Sequence, residues 1–210
     1  PLERRSEEPS IFDQIEDHLR SHGKRKPLVV HRIDRDTSGV VLFAKDGRTQ
    51  AALKQQFRER TPERVYLAVV YGCPKPASGT WRDHLVWDER ALIQKETHSK
   101  DPRAAEAISQ YTVIEAFEST SLIEVRLTTG KRNQIRIQAR LRGHTLVGEA
   151  RYVYGPEHLR PVPFTRQALH AWRLSFHHPV ERRPMSFEAP IPADFKKLLA
   201  SLRSGTLPAR

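Results

Sequence analysis

Three segments of the chain carry apolar residues three or four positions apart. A stripe with this spacing lies on one side of an α-helix, so each segment is predicted as an amphipathic helix packed against a core. Ser, Thr or Asp at the starts, and glycine after two of the ends, are the expected capping residues. The predicted helices with their inward positions are Ser10 to Gly23 (Ile11, Ile15, Leu19), Thr49 to about Arg60 (Ala52, Leu53, Phe57) and Asp194 to Gly205 (Phe195, Leu198, Leu199, Leu202).

Strands are predicted where apolar residues alternate or run together. Both faces of the segment 64–71 are apolar, which favours a strand at the centre of a sheet. Two further strands are predicted at about 109–117 and 121–128, on either side of a short turn. The second would point Ile123, Val125 and Leu127 inward and Leu122, Glu124 and Arg126 outward. Residues 73–101 contain prolines and many charges without sustained periodicity, so they are predicted as a surface excursion with short strands.

A polar stretch of nine residues separates two apolar runs, 28–30 and 40–44. It is therefore predicted as the bend between two buried strands. Within it, Arg32 and Arg35 flank Asp34, and their charge would keep this carboxylate ionised, as suits a nucleophile or a general base. Thr37 and Ser38 can bond the local backbone, and a glycine lets the chain turn. The stretch reads His31-Arg32-Ile33-Asp34-Arg35-Asp36-Thr37-Ser38-Gly39.

A second polar cluster begins where the strand 121–128 ends. A glycine turn, Gly130, leads into a predicted helix, and the free backbone N–H groups at such a junction favour a bound anion. On this helix Ile135 and Ala139 share one face, and Gly143 ends it. The neighbouring face carries Arg136 and Arg140, with Arg140 expected to be exposed.

The charge balance favours a polyanionic partner. Lys and Arg total 36 against 25 Asp and Glu, a formal net charge of +11 over 210 residues. An RNA would be held by its phosphates, with an affinity that falls as salt rises. A chain of this length can bury one sizeable core, so one domain is the simplest prediction.

The cysteine count, the lengths of the apolar stretches and the spacing of the histidines narrow the class of protein further. Cys73 is the single cysteine, which excludes an intrachain disulfide and favours a reducing compartment. No stretch approaches 18 apolar residues, and the ten histidines include no His-Glu-x-x-His or Cys-His pattern. We therefore predict a soluble, cytoplasmic protein that has neither a membrane span nor a catalytic metal.

The nine-residue stretch resembles the signature of the RluA-type pseudouridine synthases, His-Arg-Leu/Ile-Asp-x-x-Thr-Ser-Gly. The resemblance implies that Asp34 is the catalytic residue and that Arg32 helps to fill the space left by an extruded nucleotide. Residues 64–72 resemble the second family motif, Lys-x-Tyr-x-Ala-x-Val-x-Gly, whose tyrosine lies against the target base. That position is Tyr66 here, and Arg64 replaces the Lys.

Residues 127–138 resemble the third family motif, Leu-x-Thr-Gly-Arg-x-His-Gln-Ile-Arg-x-His, in which the second Arg pairs with the catalytic Asp. The resemblance gives this role to Arg136. Lys131, Asn133 and Gln138 replace an Arg and two His, so the roles of those histidines do not transfer to this chain. Further matches extend the resemblance over about 28–195; they lie at 143–149, at Tyr154-Gly155, at 167–171 and at 176–179. Within the first of them, Thr145 replaces a Pro and Glu149 replaces an Asp.

Members of this family usually carry an extra strand and a Lys-Pro segment ahead of the catalytic motif, and many carry a small RNA-binding domain before that. Residues 1–26 match neither. We therefore predict residues 1–210 as a single catalytic domain that lacks both.

The resemblance implies an α+β fold with a mixed, mainly antiparallel central sheet flanked by helices. It implies isomerisation of uridine to pseudouridine in ribosomal or transfer RNA, which needs no cofactor because no redox change occurs. We further predict that the protein is a monomer. Asp34 would attack a sugar or base carbon, or remove the ribose 2′ proton, and the sequence does not choose among these. Two alternatives are a noncatalytic RNA-binding or chaperone protein and a carboxylate-dependent glycoside hydrolase. A glycoside hydrolase needs a second carboxylate across the substrate, and Asp36 is too close to Asp34 in the chain to take that position.

Overall fold

The computed structural model describes residues 9–20, 26–153 and 162–206. Within these ranges the helices are α1 (Ile11–Arg20), α2 (Gly47–Glu59), α3 (Gln134–Leu141) and α4 (Ala193–Ser204). None of these helices is long and apolar enough to cross a membrane. The strands are β1 (Leu28–Val29), β2 (Ser38–Gly39), β3 (Phe43–Ala44), β4 (Glu63–Tyr71), β5 (Ser78–Asp88), β6 (Ile93–Thr97), β7 (Ala105–Ala116), β8 (Thr120–Leu127), β9 (Leu169–His177) and β10 (Pro184–Glu188).

The main sheet has the strand order β10-β9-β4-β8-β7-β5-β6, and β2 adds to β9. The paired neighbours along this order are antiparallel, whereas β2 runs parallel to β9. Strands β1 and β3 form a separate two-stranded sheet. The architecture confirms the predicted α+β class with a mixed, mainly antiparallel sheet.

Strand β4 lies inside the sheet, as predicted, and both of its faces are buried. On one face Tyr66 and Ala68 pack with Ile135 and Ala139 of α3. On the other face Leu67 and Val69 belong to a cluster with the apolar stripe of α4. Leu122 of β8, predicted to point outward, joins this second cluster because α4 covers that face. The sheet is therefore the middle of three layers, with α3 on the side that carries the site.

The predicted helices are present, with different caps for two of them. The Ser10 hydroxyl accepts from the Asp13 N–H (3.3 Å), which confirms the predicted start of α1, whereas Gly23 lies outside the described residues. The cap of α2 is Asp46 rather than Thr49, because the Asp46 carboxylate accepts from the Thr49 N–H (2.8 Å). Helix α4 begins after Pro192, and Asp194 lies in its first turn.

The prediction of a surface excursion at 73–101 was wrong for β5. This strand belongs to the main sheet, and Trp81 and Leu85 are buried on its inward face. The inward position between them is Asp83, whose carboxylate accepts from Arg142 (2.9 and 3.1 Å) and from Gln138 (2.7 Å). A buried, fully paired carboxylate interrupts the alternation of apolar residues, which hid the strand.

The apolar runs on either side of the nine-residue stretch form shorter strands than predicted. Only two residues of each run pair, Leu28 with Ala44 and Val29 with Phe43, and Val29 is 38% exposed. The stretch between them is also more than a bend, since its end forms β2 and pairs with His170 and Ala171 of β9. This pairing holds the stretch against the main sheet and next to Tyr66.

Candidate active site

A pocket of about 460 Å³ lies where the 31–37 loop, β4 and the start of α3 meet. Among the described residues that line it, Asp34 is the one carboxylate, and six side chains are cationic: Arg32, Arg58, Arg60, Arg64, Lys131 and Arg136. Asp34, Arg32, Tyr66 and Arg136, which the resemblance singled out, all line this pocket. Residues far apart in the sequence thus meet at one concave, positively charged surface.

The Asp34 carboxylate is held through one of its two oxygens. Asn133 Nδ2 donates to Oδ2 at 2.7 Å, and Arg136 Nη1 donates to the same atom at 3.2 Å. Among the described residues, Oδ1 accepts no hydrogen bond, and the side chain is 20% exposed. The Thr37 N–H donates to the Asp34 carbonyl (3.0 Å) and closes the turn. One oxygen is thereby fixed and the other is left available to a substrate.

Arg136 contacts two carboxylates rather than the single one implied by the resemblance. Its Nε and Nη2 donate to Glu149 at 2.6 Å each, a bidentate pair, while Nη1 reaches Asp34. Burial acts to raise the pKa of Glu149, but the Arg136 guanidinium outweighs it and holds that pKa below its usual value. Arg136 is therefore anchored by Glu149 and presents its remaining nitrogen to Asp34.

Tyr66 lies on the face of β4 that forms one wall of the pocket. It is buried, and burial raises the pKa of its hydroxyl to about 12, with Arg64 lowering it and Asp34 raising it. The ring therefore carries a neutral hydroxyl at physiological pH. A buried aromatic ring facing a pocket can stack on a planar base. Arg32 also lines the pocket, where it is exposed to solvent.

The three loop residues are supported by β9 and the segment before it. Gln167 Nε2 donates to Thr37 Oγ1 (3.2 Å), and Ser38 Oγ hydrogen-bonds His170 Nδ1 (2.9 Å). These hydroxyl contacts are tertiary, whereas the sequence predicted bonds to the local backbone. Gly39 has a φ of +121°, and a Cβ at this position would lie 2.1 Å from the Ala171 carbonyl oxygen. No other residue fits there without moving β9.

The three departures in the third motif have different surroundings. Asn133 contacts Asp34, and Lys131 lines the pocket. Gln138 is buried away from it and bonds Ser109 Oγ (2.6 Å) together with Asp83 and two carbonyls. Arg140, expected to be exposed, is half-buried. Only one departure therefore changes the immediate surroundings of the carboxylate.

Sequence reasoning missed the roles of Asn133, Glu149 and Tyr152. The family pattern identifies Asn133 and Glu149 only as departures from it, and no sequence signal singles out Tyr152. A buried Arg needs an acidic partner, and Glu149 stands where the family pattern has an Asp. That acidic position was the signal that could have identified Glu149 as the partner of Arg136. The Tyr154-Gly155 match lies outside the described residues.

His31 is neutral and packs behind the loop. Its Nε2 accepts from the Leu42 N–H (3.0 Å), and its ring stacks on Phe57 with centroids 4.8 Å apart. Burial, with a smaller effect of the Arg64 charge, lowers its pKa from 6.5 to about 4. Protonation would place a charge in this site and remove the acceptor of the Leu42 N–H.

We expect the free energy of unfolding to fall as pH drops from 6.5 towards 4, because unfolding then releases His31 to bind a proton. The shift corresponds to at most about 3 kcal/mol. Urea unfolding across this range should show a shallower pH dependence for His31→Gln than for the native chain. His98→Gln, at an exposed turn, is the control. Parallel pH curves for the native chain and His31→Gln would contradict this account.

Within the described ranges, no group of three or more His, Cys, Asp or Glu side chains is arranged to hold a metal ion. The described residues that line the pocket offer one carboxylate, several cations, a tyrosine, the His31 imidazole and the Asn133 amide.

Comparison with known proteins assigns the family. A family model described as RNA pseudouridylate synthase matches residues 10–141. The chain belongs to this family. The match confirms the resemblance found in the three motifs, and it includes Asp34, Tyr66 and Arg136.

Two curated relatives are 36% identical to the chain. One is an uncharacterized RNA pseudouridine synthase, YlyB, of Bacillus subtilis, matched over 182 residues, and the other is the ribosomal large subunit pseudouridine synthase D of Zymomonas mobilis, matched over 192 residues. Each alignment covers 87% of this chain but only 58% and 59% of the respective relative. The chain thus spans less than two thirds of the length of these relatives.

Solved structures confirm the fold. Human RNA pseudouridylate synthase domain containing 4 superposes with a TM-score of 0.75, covering 92% of this chain and 82% of that one at 21% identity. Human RNA pseudouridylate synthase domain containing 1 gives a TM-score of 0.71 at 21% identity, covering 93% and 87%.

Proposed function

We propose that this protein isomerises uridine to pseudouridine in RNA, with Asp34 as the catalytic residue. The observation that carries the proposal is the single carboxylate in a basic pocket of about 460 Å³, oriented by Asn133 and Arg136 beside a buried tyrosine. Pockets of this size accept a small-molecule-sized group such as an extruded nucleotide. The surrounding cations suit the phosphates on either side of it.

The reaction breaks the C1′–N1 glycosidic bond, rotates the uracil and forms a C1′–C5 bond. Atoms are conserved and no redox change occurs, so the chain needs no redox cofactor for it. Asp34 would serve either as a nucleophile at a sugar or base carbon or as the base for the ribose 2′ proton. Its Oδ1, which accepts no hydrogen bond from the part of the chain that the structure describes, is the atom that we assign to this step.

The other predicted residues have roles in binding. Tyr66 would stack on the target base, since its ring forms a wall of the pocket. Arg32 would steer or replace the extruded nucleotide from its exposed position in the pocket lining. Arg136 would keep the Asp34 carboxylate oriented through its bond to Oδ2.

Ribosomal RNA is the substrate class that we propose, because one relative is named for the large ribosomal subunit. Purified protein should be incubated with unmodified transcripts of large-subunit ribosomal RNA and of transfer RNAs, and pseudouridines should be mapped by chemical labelling and mass spectrometry. We expect modification of one or a few uridines in ribosomal RNA. The proposal would be rejected if adding the protein created no pseudouridine in the transcripts and deleting its gene removed none from cellular RNA.

Cytoplasmic location, a monomeric state and a single catalytic domain remain predictions.

RNA affinity should fall log-linearly with salt because phosphate contacts release counterions. If the five cations of the pocket other than Arg136 contact single-stranded phosphates, the slope of log K against log salt would be about −3.5. Lys131→Gln should make the slope shallower by about 0.7. Lys197→Gln, on the helix that covers the other face of the sheet, should leave it unchanged. Fluorescence anisotropy at several salt concentrations measures this, and a flat response would contradict phosphate-dominated binding.

The glycoside hydrolase alternative is not favoured by the geometry. That chemistry needs two carboxylates flanking a substrate, and Asp36 is exposed and does not line the pocket. Glu149 is buried under Arg136, in a bidentate pair. A noncatalytic RNA-binding protein on the same scaffold would not depend on the Asp34 charge, and Asp34→Asn tests this difference.

A further inference from the structure

Asn133 is a departure from the family pattern that touches the reacting carboxylate. It stands at the start of α3 with left-handed backbone angles, φ 52° and ψ 26°, and its side chain does not cap the helix. Instead its amide nitrogen donates to Asp34 Oδ2 at 2.7 Å. An amide carries a donor and an acceptor on one short group, so the orientation of Asn133 decides whether it supports Asp34 or repels it.

Tyr152 contacts the other end of this amide. Its hydroxyl donates to Asn133 Oδ1 at 3.1 Å and accepts from the Gln94 N–H at 2.8 Å. The Gln94 N–H can only donate, so it takes one lone pair of the hydroxyl oxygen and leaves the hydroxyl proton for Asn133 Oδ1. The oxygen of the amide then faces Tyr152. The nitrogen then faces Asp34. The opposite orientation would set the amide oxygen against a carboxylate and the amide nitrogen against the hydroxyl.

The surroundings keep Tyr152 in place and keep its hydroxyl protonated. The side chain is buried, and the Arg136 guanidinium lies 5.3 Å from the centre of its ring. Burial raises the pKa of the hydroxyl, with smaller opposing effects of the Gln94 N–H and of the Arg136 and Arg151 charges, and a small raising effect of Glu149. The Tyr152 N–H also donates to Glu149 (3.1 Å), the carboxylate that anchors Arg136.

We propose that Tyr152 is a positioning residue for pseudouridine formation, acting through Asn133 on the Asp34 carboxylate. The inference rests on the proposed function and extends it to a residue outside the three motifs. Where the family pattern has histidine, this chain has an amide, and the hydrogen bond from Tyr152 supplies the orientation that the amide lacks by itself. Tyr152 does not line the pocket, so its effect should fall on turnover and not on RNA binding.

A double-mutant cycle tests the route of this effect. Tyr152→Phe should lower kcat about 10- to 100-fold, the range expected when the Asn133 hydrogen bond to the charged Asp34 carboxylate is lost, with KM and RNA affinity unchanged. Asn133→Gly removes the amide and tolerates the left-handed backbone. In the Asn133→Gly background, Tyr152→Phe should cause no further loss. The buried control is Tyr111→Phe, whose hydroxyl donates to the Pro76 carbonyl (2.9 Å) away from the pocket, and it should retain full kcat.

Multiplicative losses in the double variant, full activity of Tyr152→Phe or an equal loss in Tyr111→Phe would overturn the inference. All rates are to be measured well below the melting temperature of each variant, so that partial unfolding does not lower the measured kcat.

A second readout is independent of turnover. In the native protein the side-chain amide protons of Asn133 should be protected from exchange in NMR spectra, and Tyr152→Phe should remove this protection. An unchanged Asn133 signal would overturn the inference even if the RNA substrate proved different.

Discussion

Asp34→Asn should lower the rate of pseudouridine formation by about 1,000-fold or more, while folding and RNA affinity change little. The amide has the shape of the carboxylate, and its oxygen can accept from Asn133 and Arg136 as Oδ2 does now. It has neither the charge of a nucleophile nor the basicity to take a proton, and general acid–base catalysis by one group typically contributes 10²- to 10⁴-fold. Single-turnover assays with excess protein, together with circular dichroism and RNA binding, measure the three properties.

Asp36→Asn is the matched control, since it removes a carboxylate from the same loop. Asp36 is exposed, its side chain bonds Arg35, and it does not line the pocket. We expect this variant to retain the native rate. Appreciable turnover by folded Asp34→Asn protein would remove Asp34 from the catalytic role and would favour a noncatalytic RNA-binding function.

Arg136→Lys should lose both activity and stability. A lysine ammonium is a compact donor without the planar fork, so it cannot make the bidentate pair with Glu149 and also reach Asp34. Breaking a buried pair typically costs about 3 to 5 kcal/mol, and even the lower value lowers the Tm of a chain of this size by about 6 to 12 °C. We expect kcat to fall about 100-fold or more, while RNA affinity falls by much less.

Arg203→Lys is the control for the same chemical change. Arg203 also bonds a carboxylate through two nitrogens, that of Glu115, but on an exposed surface of α4. Exposed pairs contribute about 0 to 1 kcal/mol, so this variant should retain its Tm and kcat. Thermal melts and steady-state kinetics distinguish the two positions. Equal, mild effects at both would mean that the Arg136 contacts do not organise the carboxylate.

Local sequence patterns predicted the parts of this fold whose signals lie within a few residues. The stripes of α1, α2 and α4 predicted those helices, and the two apolar faces of β4 predicted its interior position in the sheet. The prediction failed where a buried polar residue broke the pattern, as Asp83 does in β5. Such a residue is satisfied by partners from distant parts of the chain, in this case Gln138 and Arg142, which no local window contains.

The sequence by itself determined the family, the candidate carboxylate and the residues expected to contact it, because each motif is a short run of contiguous residues that can be recognised without the fold. The tertiary structure decided how these residues are bonded. It brought Glu149 under Arg136 and placed Asn133 and Tyr152 behind Asp34. These contacts depend on the packing of α3 on the sheet and on the turn after it. Distances between residues that are remote in sequence follow from that packing, and the periodicity of the chain does not predict them.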